Sequence, residues 1–266
     1  MRHAWLIIAH NEFEVLQRLV SMLDHERSDF FIHFDAKVKT LPEIMVEKGR
    51  LFVLDKRMDV RWGSVSQIET ELMLIGAAQS RGPYAHYHIL SGTHLPLKSV
   101  EELMSFYDSH VDEEVARFWA DYEEDADFKL RRYHFPLRDY KSSKLVKRRL
   151  CQRSWQGVIK VQKVLGIKHL KNEVFIKTDN WLSLTDSACH YLVEHKTAIL
   201  KKYRWSFCGD EYFAVSELRR SGSFRFFDCK NLLYVFFQGD TPRVFAISAL
   251  PKLKESGCLW ARKFTI

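Results

Sequence analysis

Ala4-Trp5-Leu6-Ile7-Ile8-Ala9 is an unbroken apolar run that stops at His10-Asn11-Glu12. It is far shorter than the ~20 residues a membrane-spanning helix needs. Behind Met1-Arg2-His3 it resembles a short signal peptide, but it lacks a small-residue cleavage site, so a buried first strand is the reading adopted. Leu16, Leu19, Val20 and Leu23 follow at helical spacing. Residues 30–34 repeat the strand signal and end at Asp35, and 51–54 make a third strand. Val65, Ile68, Leu72 and Ile75 mark a helix after Trp62-Gly63, and residues 84–90 form a fourth strand closed by Ser91-Gly92. Ser99 with Glu102 three residues on is a capping box opening the next helix. Strands separated by helices predict an α/β fold, a mostly parallel sheet with helices on both faces. Ligands of such sheets lie beyond the carboxyl ends of the strands. That places His10, Asp35, Arg61 and residues 91–96 along one rim.

The 266 residues suit a single domain, 1–266, with a substantial core. Apolar residues make up 46% and charged residues 28%, which excludes a disordered chain. The five cysteines are scattered with no C-x-x-C pair, and read as reduced thiols of a cytoplasmic protein. The net charge of +7 is uneven: residues 129–177 hold fifteen Lys or Arg against Asp139 and Glu173 alone, a local +13 that leaves the remainder near −6. Apolar residues among these cations, including Leu145, Leu150 and Trp155, make the block a basic, helical insert. Such a block suits an anionic partner: nucleic acid, an anionic membrane touched peripherally, or a phosphate-bearing substrate. A solvated basic helix is the bland alternative. Further on, helices are expected at 185–195 and 210–220, and strands at 224–227 and 232–237.

No phosphate-binding glycine loop, H-E-x-x-H or G-x-S-x-G motif is present. His86 and His88 have strand spacing and read as structural histidines rather than metal ligands. Asp125-Ala126-Asp127 is the one D-x-D, but it follows Glu123-Glu124 and reads as a solvated acidic turn rather than a metal site. Lys129 and Arg132, three apart, would share a helical face and grip an acceptor, or merely belong to the basic block. Glu211 opens a predicted helix, while Arg243 and Lys263 stand in an otherwise apolar tail. One carboxylate and two distant cations are the parts of a metal-free sugar-nucleotide transfer. The carboxylate takes a proton from an acceptor hydroxyl, and the cations hold the charge that grows on a departing diphosphate.

Several ordered stretches together resemble the core-2/I-branching β-1,6-N-acetylglucosaminyltransferase family, which includes the peptide O-xylosyltransferases. They are Ile7-Ile8-Ala9-His10, Ile32-His33-Phe34-Asp35-Ala36-Lys37, Val60-Arg61-Trp62-Gly63 and Leu90-Ser91-Gly92-Thr93-His94-Leu95-Pro96-Leu97. Arg131-Arg132-Tyr133, Asp210-Glu211-Tyr212-Phe213 and Leu259-Trp260-Ala261-Arg262-Lys263-Phe264 complete the set. The resemblance implies a GT-A-like fold and inverting, metal-independent transfer of a sugar from a UDP donor, with no cofactor. N-acetylglucosamine is the default sugar, with xylose, glucose or galactose as alternatives. It assigns Glu211 as catalytic base, and His10, Asp35, Arg61, Arg243 and Lys263 to the donor. His94, Lys129, Arg132 and Trp181 fall on the acceptor side. His94 replaces the family's Asp in S-G-x-D-x-P-L, which argues against a xylosyltransferase-like mechanism. The short length and missing anchor suggest a bacterial relative working in the cytoplasm on cell-surface glycan precursors, lipid-linked acceptors included. The rival is a non-catalytic nucleic-acid or membrane-binding protein built on the basic block, although no nucleic-acid-binding motif accompanies the cations.

Overall fold

The computed structural model describes residues 1–238 and 241–266. The first half alternates β1 (His3–Ala9), α1 (Phe13–Leu23), β2 (Ser28–Phe34), β3 (Arg50–Val53), α2 (Ser66–Gln79) and β4 (Tyr87–Ser91). Then come β5 (Leu95–Pro96), α3 (Val100–Asp108), β6 (Glu114–Ala116), α4 (Glu123–Lys129), α5 (Leu145–Val164) and β7 (Ser183–Leu184). Helices α6 (Asp186–Glu194), α7 (Lys196–Tyr203) and α8 (Phe213–Ser221) precede β8 (Phe226–Asp228) and β9 (Leu233–Tyr234). The tail holds β10 (Phe237–Gln238), β11 (Thr241–Pro242), β12 (Phe245–Ala246), α9 (Leu250–Lys254), β13 (Trp260–Ala261) and β14 (Phe264–Thr265).

Seven strands form the central sheet in the order β3-β2-β1-β4-β7-β6-β8. All its pairings are parallel except the two made by β7, which runs against β4 and β6. Side chains of β1 alternate between two cores because successive strand residues face opposite ways. Trp5, Ile7 and Ala9 join one core with α1 and α3, while Ala4 and Leu6 join the other with α2, α6 and α8. This is the α/β architecture, with a mostly parallel sheet and helices on both faces, that the alternating signals predict. The capping box forms: Ser99 Oγ accepts from Glu102 N at 3.2 Å, and Glu102 Oε2 accepts from Ser99 N at 2.8 Å. At the start of β2, buried Asp29 ties together Arg2, Arg50 and Tyr84.

The tail folds back onto β5 and the turn that ends β4. β13 lies between β5 and β9, and β14 pairs parallel with β12. Phe264 N donates to Thr93 O at 3.0 Å, so residues 262–264 are laid against the turn that ends β4.

Three expectations change. The helix expected over 210–220 is a one-turn 3-10 segment, Gly209–Glu211, followed by α8. Tyr212, between them, is off the helical region (φ −131°), so the two pieces cannot merge, and Cys208 before them is left-handed (φ 50°). The insert 129–177 is helical only over α5, since Lys129 ends α4 and much of the rest is turns. Asp125 and Asp127 are not a solvated turn but lie on α4, each tied to cations.

Candidate active site

Glu211 is presented by the 3-10 turn, and that turn is held by residues distant in sequence. Gly63, at φ +73°, lets the chain pass so close to Phe207 that an added Cβ would meet the ring at 2.8 Å. Its carbonyl accepts from Cys208 N at 2.9 Å. Gln67, in the first turn of α2, donates to Asp210 Oδ2 at 2.8 Å, and Asn180 donates to the same oxygen at 3.1 Å. Burial and the neighbouring Glu211 charge raise the Asp210 carboxyl to about 7. Thr178 N donates to Glu211 O at 2.9 Å, completing the support of the turn.

The Glu211 side chain is about 30% exposed and points at lysines. Lys129 Nζ donates to its Oε2 at 2.7 Å, and Lys177 Nζ lies 3.8 Å away. Lys129 also stands 3.1 Å from Asp125 Oδ2, and Lys177 donates to that oxygen at 2.6 Å. Burial opposes the Lys129 charge, but Glu211 and then Asp125 more than offset it, so its ammonium is held above the usual lysine range.

Across the rim, the tail brings cations to the carboxyl ends of β1 and β4. Lys263 is half-buried and its ammonium is pushed down by burial, then by the Arg262 and Lys141 charges. Exposed His10, just past β1, is lowered by loss of solvent and by the Lys263 charge. The Arg262 guanidinium lies 4.8 Å from the Trp181 ring centroid. Burial brings it down to about 10, against the pull of Asp179 and Asp210. Arg262 thus lies within electrostatic reach of Asp210, the residue beside Glu211. Asp179 itself is engaged by Arg117 (Nε to Oδ2 2.7 Å) and by Trp119 Nε1 at 3.0 Å. Arg243 is exposed, two residues before Phe245, whose N–H donates to Lys263 O at 2.7 Å. The two cations assigned to the donor therefore lie just before the two strands of one short ladder, β12 with β14.

A charged chain runs along the outer rim. Lys37 Nζ bridges Asp35 Oδ2 at 2.7 Å and Asp59 Oδ1 at 3.0 Å, and Asp59 pairs with Arg61. Next to Arg61, Trp62 stacks on Tyr140, and Lys141 Nζ sits 3.7 Å from the Trp62 ring centroid. Residues 140–141 of the basic block thus reach the rim.

Two residues expected on the acceptor side lie elsewhere. His94 is fully buried: its Nδ1 accepts from Ser91 N at 3.1 Å, and its ring meets Trp181 edge-on at 4.8 Å. A buried imidazole cannot touch an acceptor; it seats the turn after β4. Arg132 is buried too, its guanidinium donating to Ile167 O at 3.0 Å, so it fastens the far end of the insert. Lys129 remains beside Glu211, and Trp181 is half-buried under Arg262. Among the described residues no three His, Cys, Asp or Glu side chains converge in a metal-holding group. Arg262, Lys177, Gln67 and Lys141 were not singled out from sequence. Only Arg262, adjacent to Lys263, carried a signal that could have flagged it.

No curated protein matches the chain. Among solved structures, mouse xyloside xylosyltransferase 1 in its apo form is similar at 9% identity and a TM-score of 0.38, with 97% of this chain and 96% of that one covered. The family described as Core-2/I-Branching enzyme matches residues 3–214, the span that carries the first seven strands, the rim and Glu211. The chain therefore belongs to the Core-2/I-Branching enzyme family, a family of glycosyltransferases.

Proposed function

We propose that the protein transfers a sugar, N-acetylglucosamine by default, from a UDP-sugar to a hydroxyl of a glycan acceptor, with inversion and without a metal. The acceptor hydroxyl gives its proton to Glu211 as its oxygen attacks the anomeric carbon. The bond from that carbon to the diphosphate oxygen breaks on the opposite face, and its electron pair leaves with UDP. Lys263 and Arg243, with Arg262 beside them, hold the growing charge. Asp35 and Arg61 are the nucleoside end of the donor site, with His10 between them and Lys263. Lys129 and Trp181 flank the acceptor. The acceptor is a cell-surface polysaccharide or lipooligosaccharide precursor, and the unpaired, buried cysteines suit work in the reducing cytoplasm.

The observation that carries this reading is the seating of residues 262–264 against the turn that ends β4, with Arg262 over Trp181 and Lys141 over Trp62. The Arg262 and Lys141 charges press on Lys263, and a bound diphosphate would relieve them. A thermal-shift screen of UDP-sugars tests it. UDP-N-acetylglucosamine should raise the melting midpoint of the wild type, and Lys263→Ala should lose most of the rise. No response to any UDP-sugar would overturn the reading.

A further inference from the structure

Helix α5 buries one stripe and shows a second apolar stripe to solvent. Cys151, Trp155, Ile159 and Gln162 face inward. Val146, Leu150, Val161 and Val164 lie at spacings that return to the same side of a 3.6-residue helix, opposite the buried one. They are 79%, 66%, 55% and 78% exposed. Gly157 falls on the same side and adds no polar group to it. Cations border this stripe, with Arg149, Arg153 and Lys160 along one edge and Lys147 along the other. The helix contains no acidic residue, and none of its Lys or Arg joins a salt bridge among the described residues.

We infer that this outward face of α5 docks on an anionic lipid surface. A helix lying in the interface buries an apolar face at the acyl boundary while its cations meet lipid phosphates, and α5 supplies both halves of that match. Nucleic acid would satisfy the cations alone and leave the valines and Leu150 against water. The one aromatic residue of the helix, Trp155, is on the inward side, out of reach of a base. On that side it meets Tyr140 at 5.2 Å and Phe207 at 5.6 Å between ring centroids. The lipid face therefore stands more than a helix diameter, about 10 Å, from the turn bearing Glu211. This would hold the active site just above the surface, within reach of the head of a lipid-linked glycan. The inference does not depend on the sugar-transfer reading, because it is read out by binding alone.

Co-sedimentation of the full chain with vesicles tests it. The three binding arms are phosphatidylcholine containing about one-third phosphatidylglycerol, phosphatidylcholine alone, and a single-stranded RNA oligonucleotide. Wild type should pellet with the anionic vesicles and not with the neutral ones. Arg149→Gln with Arg153→Gln and Lys160→Gln should weaken binding roughly five-fold per cation, on the order of a hundred-fold in all. Val146→Ser, Leu150→Ser, Val161→Ser and Val164→Ser together should weaken it at least about ten-fold with every cation kept. These exposed sites leave the core intact, and an unchanged melting midpoint verifies it. Equal binding to neutral vesicles overturns the inference. So does full retention by the serine variant, or tighter binding to RNA than to anionic vesicles.

Discussion

Replacing Glu211 by Gln tests the proposed base with little structural cost. The amide keeps the shape and one acceptor oxygen for Lys129 Nζ, which donates to Glu211 Oε2 at 2.7 Å. Lys129 also retains Asp125 Oδ2 at 3.1 Å, so removing the Glu211 charge does not leave the ammonium alone. An uncompensated buried charge costs about 3–5 kcal/mol. With Asp125 remaining and Glu211 partly open to water, about 1 kcal/mol is the expected loss. The chemical step is another matter. General-base help contributes about a hundred- to ten-thousand-fold, or roughly 3–5 kcal/mol of barrier. Initial rates at saturating donor should show kcat lowered by that factor, with UDP-sugar affinity by thermal shift almost unchanged. Glu211→Gln turnover within about three-fold of wild type, on a protein with an intact melting midpoint, would refute the assigned role.

Three further outcomes are expected. Transfer should persist in EDTA, because Asp125 is engaged by Lys177 and Asp127 by Lys168 rather than converging on one point; strict Mn or Mg dependence would show the opposite. Glu114 is buried, and burial raises its carboxyl to about 7 despite hydrogen bonds from Thr185. A raised carboxyl contributes stability that is complete below the unfolded value of 4.5 and lost as pH climbs through about 7. Glu114→Gln should therefore gain on wild type by up to roughly 3 kcal/mol between those limits in urea titrations, and a pH-independent difference would contradict it. Asp29→Asn should cost about 3 kcal/mol, the low end for a broken buried pair because Arg2 and Arg50 reach water; a change in urea midpoint too small to detect would count against that network.

The sheet was legible because β1, β2 and β4 are buried on both faces, which forces continuous apolar runs such as 4–9. Tail cations were visible for a related reason, since a charge in an apolar stretch stands out. The partner network was not. Lys177, Gln67 and Asn180 look like ordinary surface residues until the fold sets them around Asp210 and Glu211. Arg262 was indistinguishable from Lys263 until the short ladders of β13 and β14 directed it to Trp181. His94 and Arg132 misled in the opposite direction. Their types suit binding, but one seats a turn and the other fastens a loop, and only burial tells the difference. The 210–220 helix failed because apolar spacing does not register the break at Tyr212, where the backbone leaves the helical region.

Gly63 also bears on how this enzyme could be retooled. With a positive φ and only 2.8 Å between an added carbon and Phe207, any other amino acid there would displace the turn that carries Glu211 before donor choice was sampled. Trp62 and Lys141, more open to water, bear no such obligation. Libraries seeking new sugar preferences are best spread over that outer shelf, with the inner pin at residue 63 left untouched.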